Sequence, residues 1–160
     1  MELKEYHINL SRWFRSYILY LTNDISDSEL WIRFEHINSP GWNLLHLIAE
    51  CELAILKIKP DHIIYLKEYR DFMFGSGGDA KLDLSTSEIL GIFKKVYDIL
   101  ETEVSDKLDI LHKTDNQDEI LKDVLKTELD FNLHMMTTHI AMHCDALMKW
   151  RLFAGKKPLN

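Results

Sequence analysis

The residues of this sequence best suited to chemistry are its histidines, and what matters first is which of the eight point into the protein. On a helical wheel of about 100° per residue, with His139 at 0°, His143 falls at roughly 40°, Asn132 and Trp150 near 20°, and Ala146 and Met135 within about 40° on the other side. His139 and His143 therefore share one apolar stripe, a turn apart. His134 falls near 220°, beside Thr138, Asp145 and Lys149, and is expected in solvent. In a separate helical stretch His46 shares its face with Trp42, Ala49 and Leu53 and also points inward. A buried imidazole without partners is costly, and clustering three makes protonating any one of them less favourable. A divalent cation satisfies all three at once. The i, i+4 pair supplies two nitrogens at ligand spacing, and a third from a facing helix completes a set that leaves coordination positions open. The competing reading makes each an ordinary core histidine bonded to a carbonyl or a water. His7, His36, His62 and His112 have no partner at ligand spacing and are assigned to the surface.

The neighbours of these histidines narrow the chemistry. Ile140 stands where an H-E-x-x-H motif would carry its glutamate, so a metalloprotease would lack its general base. Glu50, one turn after His46, is a fourth ligand, an outer acceptor, or simply a flanking charge. Cys51 and Cys144 project away from the histidine stripe and read as reduced, partly buried thiols with no disulfide or zinc-knuckle spacing. Trp13, Trp42 and Trp150 lie on apolar stripes and are expected in the core, Trp42 and Trp150 close enough to line a pocket with Ala146. Met135, Met136 and Met142 read as flexible packing, since a borderline ion prefers imidazole. Arg151 either holds an anionic group or ties down a helix end.

The elements that must position these residues are helices. Leu3, Tyr6, Leu10, Trp13, Tyr17 and Leu21 form one apolar stripe, with Lys4, Glu5, Arg12 and Arg15 on the other face. A second helix starts at Asn38-Ser39-Pro40, with Ser39 as cap and Pro40 in the first turn, and runs to about Ile58, before Pro60. A third opens with the capping pattern Ser85-x-x-Glu88 and continues through Ile89, Phe93, Val96, Leu100 and Val104. The fourth spans about Thr127 to Phe153 and ends at Gly155. A short helix is expected over Asp118 to Lys126. Between helices two and three, Phe72, Phe74, Gly75, Gly77 and Gly78 read as a crossover or a functional rim. These patterns predict an all-α fold over residues 1–160 as one domain, an antiparallel four-helix bundle with a long crossover.

Composition excludes several classes. The 160 residues carry 46% hydrophobic and 28% charged residues, ordinary for a globular domain. Net charge is −7, and residues 101–130 hold ten acidic side chains against four lysines, so no basic stripe is available for nucleic acid. No apolar run is long enough to span a bilayer, and the polar start lacks the apolar core of a signal peptide. The expectation is a cytoplasmic protein with neither nucleic-acid nor membrane partners.

Three stretches resemble the DinB/YfiT-like family: N-S-P-G-W-N-L-L-H-L-I-A-E at 38–50, F-M-F-G-S-G-G at 72–78, and T-E-L-D-F-N-L-H-M-M-T-T-H-I-A-M-H-C-D-A-L-M-K-W-R at 127–151. The resemblance implies a four-helix bundle with a divalent metal, zinc or nickel, on His46, His139 and His143. It also implies a homodimer and, where activities are assigned, thiol-dependent transferases or isomerases that use bacillithiol, mycothiol or related cofactors. Cys144, Asp145 and Ala146 depart from the H-x-G-Q pattern common in that family. The leading functional expectation is therefore a metal-dependent transferase, or a related hydrolase or isomerase, that activates an external low-molecular-weight thiol toward a small electrophile. A non-catalytic metal-binding stress-response bundle and a dimeric interaction module are the alternatives.

Overall fold

The computed structural model describes residues 3–156, with side chains from Glu5 onward, so Leu3 and Lys4 as side chains and the ends of the expected 1–160 domain lie outside the described residues. It is all-helical: α1 (Leu3–Thr22), α2 (Pro40–Ile58), α3 (Thr86–Asp106), α4 (Leu108–Leu111), α5 (Glu128–Met136) and α6 (Thr138–Phe153), with a 3-10 turn at Tyr69–Phe72. Among the described residues there is no strand, and none of the helices is long and apolar enough to cross a membrane.

The local signals at the helix starts act as their chemistry requires. Ser39 accepts the Trp42 N–H at 3.3 Å while Pro40 opens α2, and Ser85 and Glu88 form a reciprocal capping box on α3. Gly155, at φ +68°, takes the left-handed position that ends α6. Helix α2 is apolar nearly all round and is buried accordingly, packed against α3, α5, α6 and the 3-10 turn. Its Leu44, Leu45, Leu47 and Ile48 join Phe93, Val96 and Leu100 of α3 and Phe131 and Ile140 of α5 and α6 in one core.

Helix α1 packs on α6 through only part of the expected stripe, with Leu21 buried and Tyr17 against the core. Ile18 and Leu21 are buried and Phe14 packs beside them, whereas Trp13 is 57% exposed and Tyr6 is also exposed. The sequence carries two apolar rows at helical spacing, and the neighbours of α1 choose the row that includes Phe14 and Ile18. Trp13 instead stacks on Tyr17 at the surface, with ring centroids 5.4 Å apart. The opposite, polar row is not simply solvated, because Arg12 and Arg15 reach Glu101 and Asp98 of α3.

Two further expectations are corrected. Residues 118–126 form turns rather than a helix: Asp118 Oδ1 accepts the N–H groups of Ile120 and Leu121 at 3.0 and 2.9 Å, which caps a turn that goes no further. The expected fourth helix is broken at Thr137, whose φ of −129° and ψ of −79° are not helical. The Thr137 hydroxyl donates back to the Leu133 carbonyl at 2.5 Å, a local bond that competes with the helical ladder. Arg151 is a tie between helix ends, because its guanidinium donates to the Leu21 carbonyl at 2.8 Å and to Asp24.

Candidate metal centre

The first turns of α6 and the middle of α2 bring His46, His139 and His143 together. Their ligand atoms all lie within 4.8 Å of one another, close enough to hold a metal ion. His46 Nδ1 is 2.5 Å from the Phe72 carbonyl oxygen. A carbonyl only accepts, so that nitrogen carries the hydrogen and Nε2 presents a lone pair. Nε2 in turn lies 3.3 Å from His139 Nε2. Zinc-to-nitrogen bonds of about 2.0–2.1 Å at a tetrahedral angle separate two donors by roughly 3.3–3.4 Å, so this spacing fits such an ion. His143 Nδ1 bonds to Asn43 Oδ1 at 2.8 Å, and the rings of His139 and His143 meet edge to face at 4.9 Å.

The surroundings keep all three imidazoles neutral, the form that binds metal. Burial, and after it nearby His46 and His134, push the His139 value down to about 3. His143 is held well below its ordinary value by burial and then by His139 and His46. For His46 burial outweighs the opposing help of the Phe72 carbonyl and Glu50.

The triad opens on a cavity of about 740 Å³. Trp42 forms one wall, stacked on His46 with ring centroids 4.9 Å apart and planes within 7°. The crossover supplies a rim: Phe72 is buried as an anchor, while Phe74, Gly75, Gly77 and Gly78 line the mouth. Gly78 has φ +78°, and a Cβ there would run into the Asn38 side chain, so both backbone and space require glycine. Glu50 lines the cavity but serves this loop. Its Oε1 accepts the Phe74 N–H at 3.1 Å and lies 3.9 Å from His46 Nδ1, on the side of the ring away from His139. Its hydrogen bond goes to the loop backbone and not to a histidine, and it stands apart from the three converging nitrogens.

Ala146 and Trp150, expected beside the triad, are not among the cavity-lining residues. Trp150 is fully buried, and its indole N–H donates to the Ile32 carbonyl at 2.7 Å. Their wheel angles lie within about 20° of His139, but a rise of 1.5 Å per residue carries them about 10.5 and 16.5 Å further along α6. His134 is corrected in the other direction: it is half-buried, lines the cavity and bonds to Thr138 Oγ1 through Nδ1 at 2.5 Å. The break at Thr137 invalidates a wheel carried across it. His62 is also no surface residue, since its Nε2 is 2.6 Å from Oε2 of the fully buried Glu52. His36 and His112 are exposed, His36 at the cavity mouth, and His7 is half-buried.

Cys51 and Cys144 are buried free thiols whose values burial raises to about 12. Sequence reasoning missed Asn43 and the Phe72 carbonyl. The one signal for Asn43 was a polar residue inside an apolar helix, and a backbone carbonyl leaves no signal at all. Comparison of the chain with family models, with curated proteins and with solved structures finds no match.

Proposed function

We propose that this chain is a divalent-metal-binding protein of the DinB/YfiT-like kind, a four-helix bundle of α1, α2, α3 and the α5–α6 pair, that transfers an external low-molecular-weight thiol. The observation that carries the reading is the convergence of three histidine ligand atoms within 4.8 Å beside an open cavity. Zinc or nickel is the proposed ion, because borderline cations favour imidazole nitrogen. When bound, the ion supplies positive charge that lowers the pKa of a thiol and raises its thiolate fraction near neutral pH. The chain's own residues bind and orient. Trp42, Met135 and Leu121 offer apolar walls to the body of an electrophile, and Glu50 and the Phe72 carbonyl keep the loop and His46 in place. Cys51 and Cys144 are buried and protonated, so the reacting thiol comes from outside. A cytoplasmic homodimer acting on small molecules, with no nucleic-acid or membrane partner, completes the proposal.

A non-catalytic metal-binding role is the second reading, and one observation favours it. The charged groups at the cavity are already paired, Arg33 with Asp79, Glu50 with the Phe74 N–H, and Asp118 with Lys57. Metal analysis of untagged protein, followed by cobalt substitution, separates the two. Transfer predicts a new sulfur-to-cobalt band when a small thiol is added. It also predicts faster consumption of that thiol with a halogenated arene or an epoxide, and both effects should vanish in His139→Ala. A cobalt spectrum indifferent to every thiol, with no consumption, leaves the non-catalytic role.

A further inference from the structure

Asn43 stands in an otherwise apolar stretch of α2, 2% exposed, and its side chain is committed on both ends. Nδ2 donates to the carbonyl oxygens of Asn38 at 3.1 Å and Ser39 at 2.9 Å, and Oδ1 lies 2.8 Å from His143 Nδ1. These partners determine the amide's orientation. Two carbonyl oxygens can only accept, so the amide nitrogen must face them and the amide oxygen must face the imidazole. That oxygen also only accepts. His143 Nδ1 must therefore be the protonated nitrogen, which leaves Nε2 with its lone pair.

We infer that Asn43 is the positioning residue of the triad: its amide selects the Nδ1–H tautomer of His143 and frees Nε2 to act as a ligand. The inference rests on the metal-binding reading, although its first readout does not need a metal. His46 receives the same service from the Phe72 carbonyl, a backbone atom that no substitution removes. His139 Nδ1 is buried without a hydrogen-bond partner among the described residues. Asn43 is thus the side chain through which the tautomer of a triad member can be altered. It also joins the centre to its rim, because Asn38, whose carbonyl it holds, is the residue against which Gly78 packs. Outer partners of this kind orient ligand imidazoles, and their loss typically weakens metal binding about 10- to 100-fold.

Two substitutions separate this role from holding the helix start. Asn43→Asp keeps the acceptor for His143 but sets an oxygen against the Asn38 and Ser39 carbonyls. Asn43→Leu keeps the shape and removes both functions. In metal-free protein, nitrogen-15 NMR of labelled imidazoles should show His143 protonated on Nδ1 in the wild type and in Asn43→Asp, and on Nε2 or mixed in Asn43→Leu. In cobalt titrations Asn43→Leu should bind about 10- to 100-fold more weakly and Asn43→Asp should stay within about 10-fold. Both variants should melt lower, since both lose the bonds to the helix start. If the Leu variant does not fold, Asn43→Ala takes its place with the same expectations. Wild-type His143 protonated on Nε2, or equal cobalt weakening by Asp and Leu, overturns the inference. An Nδ1–H wild type that takes up no cobalt upholds the tautomer assignment and overturns the metal-binding reading.

Discussion

His62 and His46 are buried almost equally, with 5% and 6% of their side chains exposed, yet their partners differ in kind. His62 Nε2 meets the carboxylate of Glu52, whose other oxygen accepts the Tyr65 N–H at 2.7 Å. That cluster is closed: the carboxylate fastens the segment after α2 to the helix and asks for nothing further. His46 Nε2 meets another imidazole nitrogen, and the Glu50 carboxylate lies on the wrong side of the ring to answer it. The His46 lone pair is met either by the hydrogen of one His139 tautomer or, as proposed, by a cation shared between the two nitrogens. Burial and residue type being equal, the neighbour is what sets the proposed ligand His46 apart from His62, which is tied to a carboxylate.

The sharpest way to break this comparison is to delete one member on each side. His139→Ala should lower bound metal from about one ion per chain to near none, measured by metal analysis after dialysis. Glu52→Ala should leave that stoichiometry intact but cost about 3–5 kcal/mol in urea unfolding, because two backbone N–H groups and His62 lose a buried partner. A Glu52→Ala protein of normal stability that loses its metal would invert the roles assigned here.

Acid should act on the triad side. His139 and His143 have folded values below the ordinary 6.5, so in acid the unfolded chain takes up their protons first. Well above pH 6.5 neither state is protonated at these groups and they contribute no pH dependence. As pH falls from 6.5 toward about 3, metal-free protein should lose stability progressively, and bound metal should be displaced as protons compete for the same nitrogens. Urea midpoints that are equal at pH 7 and pH 5 would deny that these imidazoles are held neutral.

Smaller effects refine the picture at the rim. Gly78→Ala should cost about 1–3 kcal/mol and weaken metal uptake, because it strains the loop that carries the Phe72 carbonyl. Gly75→Ala, with open space around its Cβ, should cost less by the same unfolding measurement. The smallest effect is expected from His134→Ala, which removes the bond to Thr138 but should retain the metal, with stability changed by about 1 kcal/mol. If it released the metal, the cavity-lining His134 would have to be counted among the ligands.

Much of the architecture is readable one helix turn at a time. The start of α2 at Ser39 and Pro40, its end at Ile58, the capping box at Ser85 and the stop at Gly155 depend on contacts within about four residues, and a sequence displays those directly. The inward direction of His46, His139 and His143 is readable for a related reason, since periodicity alone marks an apolar stripe. Which of two stripes is buried is a different kind of fact. Trp13 lies outside and Phe14 packs inside because of where α6 and α3 sit, and nothing within α1 encodes that choice. The same holds for Ala146 and Trp150, placed correctly by angle and wrongly by height, and for His134, whose wheel position assumed a helix that Thr137 interrupts. The two bonds that assign histidines their tasks, Glu52 to His62 and Asn43 to His143, join residues brought together by packing, the second pair separated by 100 positions. Local pattern marked the apolar stripes and turned His46, His139 and His143 inward; only tertiary structure decided which stripe of α1 is covered and what the inward side chains meet, because a partner is chosen by distance in space and not along the chain.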